Sequence, residues 1–114
     1  MVSPLQAFNR HSVDELVEDG VVMVYDFYLL AEGINLGMWM PRDHCVRINP
    51  IVREKGRIIE DITIAHEWLH AYDYMVLDQE SSEGQIEWWA RSHLRTDPQL
   101  SDYIRSFYRE YGFK

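Results

Sequence analysis

The chain has 114 residues, of which 46% are hydrophobic, and a formal net charge of -8 at pH 7. That length and hydrophobic content predict one compact domain over residues 1–114, because the chain can bury a core but is too short to form two. The negative charge argues against a sequence-independent hold on nucleic acid or on an anionic membrane, since both need clustered Lys and Arg. We therefore expect peptides or proteins, including unfolded ones, as partners.

Two features bear on the cellular compartment. No apolar run approaches the ~18 residues of a membrane-spanning helix, and the N-terminus lacks the basic and apolar segments of a secretory signal peptide. Cys45 is the single cysteine, so no intrachain disulfide can form, and its apolar neighbours favour a small core residue. The sequence therefore predicts a cytoplasmic protein.

The N-terminal part is predicted to contain a helix and then a long strand. The capping-box pattern Ser12-Val13-Asp14-Glu15 predicts a short helix that ends at Gly20, after a turn around Leu5 to Phe8. Val21 to Leu30 is rich in β-branched and aromatic residues and contains neither Gly nor Pro, so it is predicted to be the longest strand. Ala31 to Asn35 then turns the chain.

A hairpin is predicted next. Leu36 to Met40 and His44 to Asn49 form two short strands, and Pro41-Arg42-Asp43 supplies a tight connection between them. Pro50 ends the third strand, and a charged loop from Arg53 to Arg57 follows it.

The remainder of the chain is predicted to be helical. One helix runs from about Ile58 to Leu77, and a second begins at the capping box Ser82-Glu83-Gly84-Gln85 and runs to about Arg95. A last helix has Pro98 in its first position and an apolar stripe up to Gly112. The elements together predict an α+β fold in which a small three-stranded sheet packs with helices.

The motif H-E-x-x-H, formed by His66-Glu67-Trp68-Leu69-His70, lies on the first of these long helices. Residues four apart on a helix lie one above the other, so both imidazoles can bind one metal ion. Glu67 would project beside that ion, toward a water molecule that it can deprotonate. This combination of residue types and spacing indicates a zinc hydrolase.

A catalytic zinc site needs a third protein ligand. The extended form of the motif needs a glycine at position 73 and a histidine at position 76, but this chain has Asp73 and Val76, which excludes that form. His93 is a weak candidate because it is rotated away from Glu87 on the same predicted helix. Glu83 and Glu87 lie four residues apart on one face, and spacing alone leaves the choice between them open.

The motif, preceded by Ile64-Ala65 and followed by Glu87-Trp88-Trp89-Ala90, resembles the gluzincin pattern of H-E-x-x-H plus a downstream Glu. It is similar in particular to the minimal archaeal gluzincins (minigluzincins) and to the ImmA/IrrE metallopeptidases, from about Ser12 to Arg95. The resemblance implies a zincin-like fold, zinc as cofactor, and a metal set of His66, His70 and Glu87. Larger gluzincins have an Asp where this chain has Arg91, so the surroundings of the third ligand must differ.

The expected reaction is peptide-bond hydrolysis, with Glu67 as general base. Asp73 is a candidate to support the histidines through a hydrogen bond, and the tryptophans are interpreted as core and cleft wall. The oxyanion donor stays open among the arginines, His93 and four tyrosines, which are Tyr72, Tyr74, Tyr103 and Tyr108. If the resemblance holds, an extended substrate adds to the edge of Leu36 to Met40.

Two other interpretations are compatible with the sequence. The chain could be a non-enzymatic zinc-binding or protein-interaction domain whose site is structural or vestigial, although such a site has no use for Glu67. The resemblance also implies a peptidase held latent by self-association or by a chain end. The aromatic segment Tyr103 to Phe113 is apolar enough to cover a cleft, but its stripe favours core packing.

Overall fold

The computed structural model describes residues 3–32 and 35–108. A 3-10 turn at Pro4–Ala7 precedes the regular elements, which follow one another along the chain with short connections. The elements are α1 Arg10–Glu18, β1 Val22–Tyr25, α2 Phe27–Glu32, β2 Gly37–Met40, β3 Cys45–Ile48, α3 Val52–Lys55, α4 Arg57–Met75, α5 Glu83–Thr96 and α6 Leu100–Arg105.

The three strands form a mixed sheet in the order β1-β3-β2. β2 and β3 are antiparallel, with Trp39 opposite Val46, which confirms the predicted hairpin. β1 runs parallel to β3, with Met23 opposite Val46, so the chain crosses over through α2 and β2 between them. Within the described ranges, six helices and this small sheet confirm the α+β class.

The prediction of one long strand from Val21 to Leu30 is wrong, because β1 ends at Tyr25 and α2 begins at Phe27. Asp26 lies between them and is 4% exposed. Its Oδ1 accepts a hydrogen bond from the backbone N–H of Tyr28, and its Oδ2 lies 3.1 Å from Nη1 of Arg47. A side chain that bonds the backbone two residues ahead favours a helix start over a continued strand.

Two helix boundaries also differ from those predicted, and one short helix was not predicted. α1 begins at Arg10, and its capping box joins Asn9 with Ser12, so the box lies three residues earlier than expected. The charged loop contains the short helix α3, and the last helix begins at Leu100 instead of Pro98. The predicted end of that helix at Gly112 lies outside the described residues.

The core lies between the sheet and α4, the longest helix. α4 packs against α1, α3, α5, α6 and two of the strands, which explains why Trp68 and Ile64 have no exposed surface. Cys45 is 2% exposed, which confirms its predicted place in the core. Tyr103 and Tyr108 pack partly buried against the same core. None of the helices in the described part of the chain combines the length and the apolar character needed to cross a membrane.

Candidate metal centre

The two histidines of the motif point to the same side of α4. Their ring centroids are 4.8 Å apart, and the distance from Nε2 of His66 to Nε2 of His70 is 3.2 Å. This convergence is the direct result of the four-residue spacing on a regular helix. Each side chain retains only a small exposed fraction, so the pair lies at the edge of the core and faces a cleft.

A carboxylate from α5 joins the two rings. Oε2 of Glu83 lies 2.8 Å from Nε2 of His66, and Oε1 lies 3.0 Å from Nε2 of His70. Burial acts to raise the pKa of the Glu83 carboxyl, but the hydrogen bonds and charges of the two histidines outweigh it and hold the pKa below its ordinary value. The first turn of α5 therefore brings a negative charge to the meeting point of the two rings.

These three side chains fit a divalent metal ion. A lone-pair nitrogen from each neutral imidazole and a carboxylate oxygen are all acceptors, and acceptors this close need a cation or shared protons between them. Ligand atoms around a tetrahedral zinc ion lie roughly 3.3 Å apart, close to the distances seen between these atoms. Among residues 3–32 and 35–108, His66, His70 and Glu83 are the one group of this kind.

Glu87 lies on the same face of α5 but binds elsewhere. Its Oε2 is 2.8 Å from Nδ1 of His66, and its Oε1 accepts hydrogen bonds from Arg91, which lies one turn further along α5. Glu87 is thus outside the group of three, although the resemblance implied it as the third ligand. The structure places Glu83 at the two Nε2 atoms instead, and which glutamate binds the metal stays a prediction to be tested with variants.

Glu67 is buried in the cleft beside the histidines, with 7% of its surface exposed. Burial raises the pKa of its carboxyl from 4.5 to about 7, and the charges of Glu83 and Glu87 add to that effect while His66 opposes it. Within the described residues, the carboxylate of Glu67 makes no hydrogen bond and no ion pair. It is therefore a buried acid with a free carboxyl group, which can hold or release a proton near neutral pH.

Strand β2 covers one side of Glu67 through Gly37. A Cβ atom built at position 37 would lie 2.8 Å from Cγ of Glu67 and 3.0 Å from Cγ2 of Thr63. Only a residue without a side chain allows the strand to approach the helix this closely. Sequence reasoning missed this contact, although a glycine at the start of a strand is a feature that indicates close backbone approach.

Glu67 lies between two cavities of the cleft. On one side is a cavity of about 300 Å³, which His66 and Glu87 also line and whose apolar wall is Leu36, Ile59 and Ile62. On the other side is a cavity of about 370 Å³, lined by residues that include Trp39, His70 and Glu83. The acid is therefore accessible from both ends of one cleft that follows β2.

Asp73 does not contact the histidines, so its predicted hydrogen bond to them is absent from the described structure. Its carboxylate instead accepts hydrogen bonds from the backbone N–H and the hydroxyl of Ser81 and from Nε2 of Gln79. These bonds fasten the loop between α4 and α5 to the helix that carries the histidines. Ser81 is two residues before Glu83, so these bonds hold the chain just before α5, whose N-cap is Ser82.

Of the other candidates, His93 and Tyr103 bind elsewhere, and two more line the cleft. Nε2 of His93 is 2.8 Å from the carbonyl oxygen of Leu5. Burial lowers the pKa of His93, although the hydrogen bond to Leu5 acts in the opposite direction. The hydroxyl of Tyr103 donates a hydrogen bond to Asp14 on α1. Among the potential oxyanion donors, Arg91 and Tyr74 line the cleft.

Comparisons with known proteins gave no match. Neither a family model, nor a curated protein, nor a solved structure was found to be similar to this chain.

Proposed function

We propose that this protein is a zinc-dependent metalloendopeptidase of the gluzincin type, with a zincin-like arrangement of its active-site helices. The proposal rests on one observation above all. Two imidazole nitrogens and a carboxylate converge within hydrogen-bonding distance of one another, and the free carboxyl of Glu67 lies in the same cleft. The first three side chains are a zinc donor set, and the fourth is a general base with no other partner.

His66, His70 and Glu83 would hold the ion through the atoms that already face one another. Glu87 would have a supporting role, because it accepts the proton of Nδ1 on His66 and so leaves the lone pair of Nε2 free for the metal. Arg91 fixes Glu87 in turn. Zinc in such a site would polarise a peptide carbonyl and lower the pKa of a water molecule.

Glu67 would take the proton of that water and deliver it to the leaving amine. A base works best when its pKa is close to the working pH, and burial already raises the pKa of Glu67 to about 7. A nearby cation would lower this pKa again, so the charged form would predominate at neutral pH. Because the carboxyl group makes no other bond in the described structure, no interaction has to break before it acts.

The substrate would lie in the cleft as an extended peptide along β2. This strand is at the edge of the sheet, since β3 occupies only one of its sides. Backbone N–H and C=O groups on the outer side can pair with an added strand, which would position the peptide bond beside Glu67. The contact between Gly37 and Glu67 keeps the strand and the base at a fixed separation.

The decisive experiment measures zinc content and cleavage of a fluorescently labelled unfolded protein in matched variants. Glu67→Gln should keep zinc and lose roughly 10²–10⁴-fold in activity, since general-base catalysis contributes that much. Glu54→Gln is the control, because Glu54 is exposed on α3 and away from the cleft. Equal activity of Glu67→Gln and wild type would refute the mechanism, and zinc binding without any cleavage would favour a non-enzymatic zinc domain.

A second pair of variants identifies the carboxylate ligand. Glu83→Gln should weaken zinc binding more than Glu87→Gln, for which a loss of about 10–100-fold is expected from a residue that supports a ligand. Zinc affinity is measured by competition with a chromophoric chelator. The reverse order would show that Glu87 is the ligand, as the resemblance implies, and would leave the peptidase proposal intact.

A further inference from the structure

We infer that the cleft selects peptides by an asymmetric arrangement of charge. Its substrates carry Lys or Arg on the N-terminal side of the cleaved bond, and a large apolar residue followed by an acidic residue on the C-terminal side. This inference rests on the proposed function, and it names the class of substrate that the two ends of the cleft fit.

The end of the cleft beyond His70 is aromatic and acidic. A cavity of about 270 Å³ there is lined by residues that include Trp39, Tyr74 and Glu80, and neither Lys nor Arg is among the lining residues. The ring centroids of Trp39 and Tyr74 are 6.3 Å apart. Two aromatic faces can hold the aliphatic stem of a long side chain and attract its positive end.

The acids that line this cavity differ in whether their carboxylates already have a partner. The Asp73 carboxylate accepts hydrogen bonds from the loop, and the Glu83 carboxylate lies within hydrogen-bonding distance of both histidines. Glu80 is exposed, and in the part of the chain that the structure describes it makes neither a hydrogen bond nor an ion pair. Its carboxylate can therefore pair with a cation that lies against the two aromatic rings.

The opposite end of the cleft is apolar and basic. The cavity lined by Leu36, Ile59 and Ile62 leads into a groove of about 360 Å³, since Ile62 and Arg91 line both. Further along this groove lie Leu94 and Ile58, and the exposed fraction of Ile58 is 75%. An apolar side chain of a substrate would bury its surface here.

Two arginines provide the positive charge of this groove. Arg91 is already paired with Glu87, whereas Arg95 forms no ion pair within the described ranges. The acid of the groove, Asp61, is paired with Arg57 and Arg105. Arg95 is thus the free charge at this end, and a carboxylate of the substrate is its natural partner.

The direction of the peptide follows from β2. The strand runs from Gly37, beside the apolar cavity, to Trp39 and Met40, toward the aromatic cavity. A peptide that adds in the antiparallel direction, the more stable pairing per residue, runs the opposite way. Its N-terminal side then reaches the aromatic cavity, and its C-terminal side reaches the apolar groove.

The test uses two fluorescent peptides with the same residues in opposite order. One has Lys before the central bond and Leu-Glu after it, and the other has Glu-Leu before the bond and Lys after it. Binding to the zinc-loaded Glu67→Gln protein is measured by fluorescence anisotropy, and cleavage is measured with wild type. The first peptide should bind about tenfold more tightly, the effect expected for one cation–π contact together with a carboxylate partner.

Single variants test the contribution of each end of the cleft to this preference. The protein should bind the Lys peptide more tightly than the same peptide with Met in place of Lys, and Glu80→Gln should abolish this difference in affinity. It should also bind the peptide with Glu more tightly than the same peptide with Gln, and Arg95→Gln should abolish that difference. Glu54→Gln should leave both differences unchanged. Equal binding of the two peptides, or a preference that survives both variants, would overturn this inference; absence of zinc or of all cleavage would count against the proposed function alone.

Discussion

Replacing Glu67 by Gln should stabilise the metal-free protein, and by an amount that depends on pH. Burial raises the pKa of this carboxyl from 4.5 to about 7, so the folded protein holds its proton more tightly than the unfolded chain does. At about 1.4 kcal/mol for each pH unit, this difference corresponds to about 3 kcal/mol. Gln has nearly the shape of the protonated acid and never carries the charge.

The sign of the effect follows from where each state loses its proton. Below pH 4.5 the carboxyl is protonated in both the folded and the unfolded chain, and the two proteins should be about equally stable. Between pH 4.5 and about 7 the unfolded chain releases the proton while the folded protein retains it, so the stability of wild type falls. Above pH 7 the folded protein contains a buried charge, and Glu67→Gln has its full advantage.

The assay is urea denaturation of both proteins in the presence of a chelator, followed by tryptophan fluorescence. The difference in free energy of unfolding should be small near about pH 4.5 and about 3 kcal/mol near about pH 8. Saturating zinc should shrink the difference at the higher pH, because a nearby cation favours the ionised carboxyl of wild type. A difference that is the same at both pH values would refute the argument, since it would show that packing and not charge separates Glu67 from Gln.

Three further substitutions test the surroundings of the site. Gly37→Ala should lower kcat/KM about tenfold or more with zinc content unchanged, because the added methyl group would lie 2.8 Å from Cγ of Glu67. Gly84→Ala is its control, since an added Cβ there meets nothing within 4 Å, and equal loss in both would contradict the contact argument. Asp73→Asn should weaken zinc binding about tenfold in a chelator competition, roughly the effect of one lost hydrogen bond, because an amide nitrogen replaces one of the two oxygens that accept bonds from the loop before α5; a fall in stability with unchanged zinc affinity would show that Asp73 is only structural. Ile64→Ala should destabilise the protein by about 2–5 kcal/mol in urea, since Ile64 is fully buried on the core side of α4, and a loss below about 1 kcal/mol would contradict its place in the core.

The sequence was sufficient for the features that depend on local spacing. The hairpin was predictable because two short runs with strand character are joined by Pro41-Arg42-Asp43, whose residue types favour a tight connection. The helix that carries His66 and His70 was predictable within about two residues, since its apolar residues recur with helical period over a long stretch. That spacing alone also places the two rings next to each other.

Features that depend on tertiary contacts were not predictable in the same way. The segment after Tyr25 has the composition of a strand, but Asp26 is buried and begins a helix, and nothing local shows that Arg47 from β3 supports it. The choice between Glu83 and Glu87 depends on how α5 is placed against α4, which involves the buried Ile86 and Ala90 of α5 as well as the loop bonded to Asp73. No local sequence feature of either glutamate indicates which of the two lies at the Nε2 atoms of the histidines.

The contrast between two acids of α4 favours the proposed function over a structural zinc site. Asp73 and Glu67 are both buried, with exposed fractions of 2% and 7%. Asp73 has the surroundings of a structural carboxylate, because hydrogen bonds from Gln79 and Ser81 compensate for its burial. Glu67 has no such compensation in the described residues, and its burial, with a smaller contribution from Glu83 and Glu87, raises its pKa.

A buried carboxyl group without hydrogen-bond partners lowers the stability of the folded protein above the pKa of the unfolded chain. A purely structural zinc site would gain nothing from such a group. Its position is explained if the group has to exchange a proton with a molecule in the cleft, because a carboxyl that already accepted strong hydrogen bonds would be a weak base. The rival reading of a structural or vestigial zinc site therefore has to account for a destabilising residue. It predicts that Glu67→Gln is more stable and otherwise unchanged, whereas the peptidase proposal predicts that the same variant is more stable and inactive.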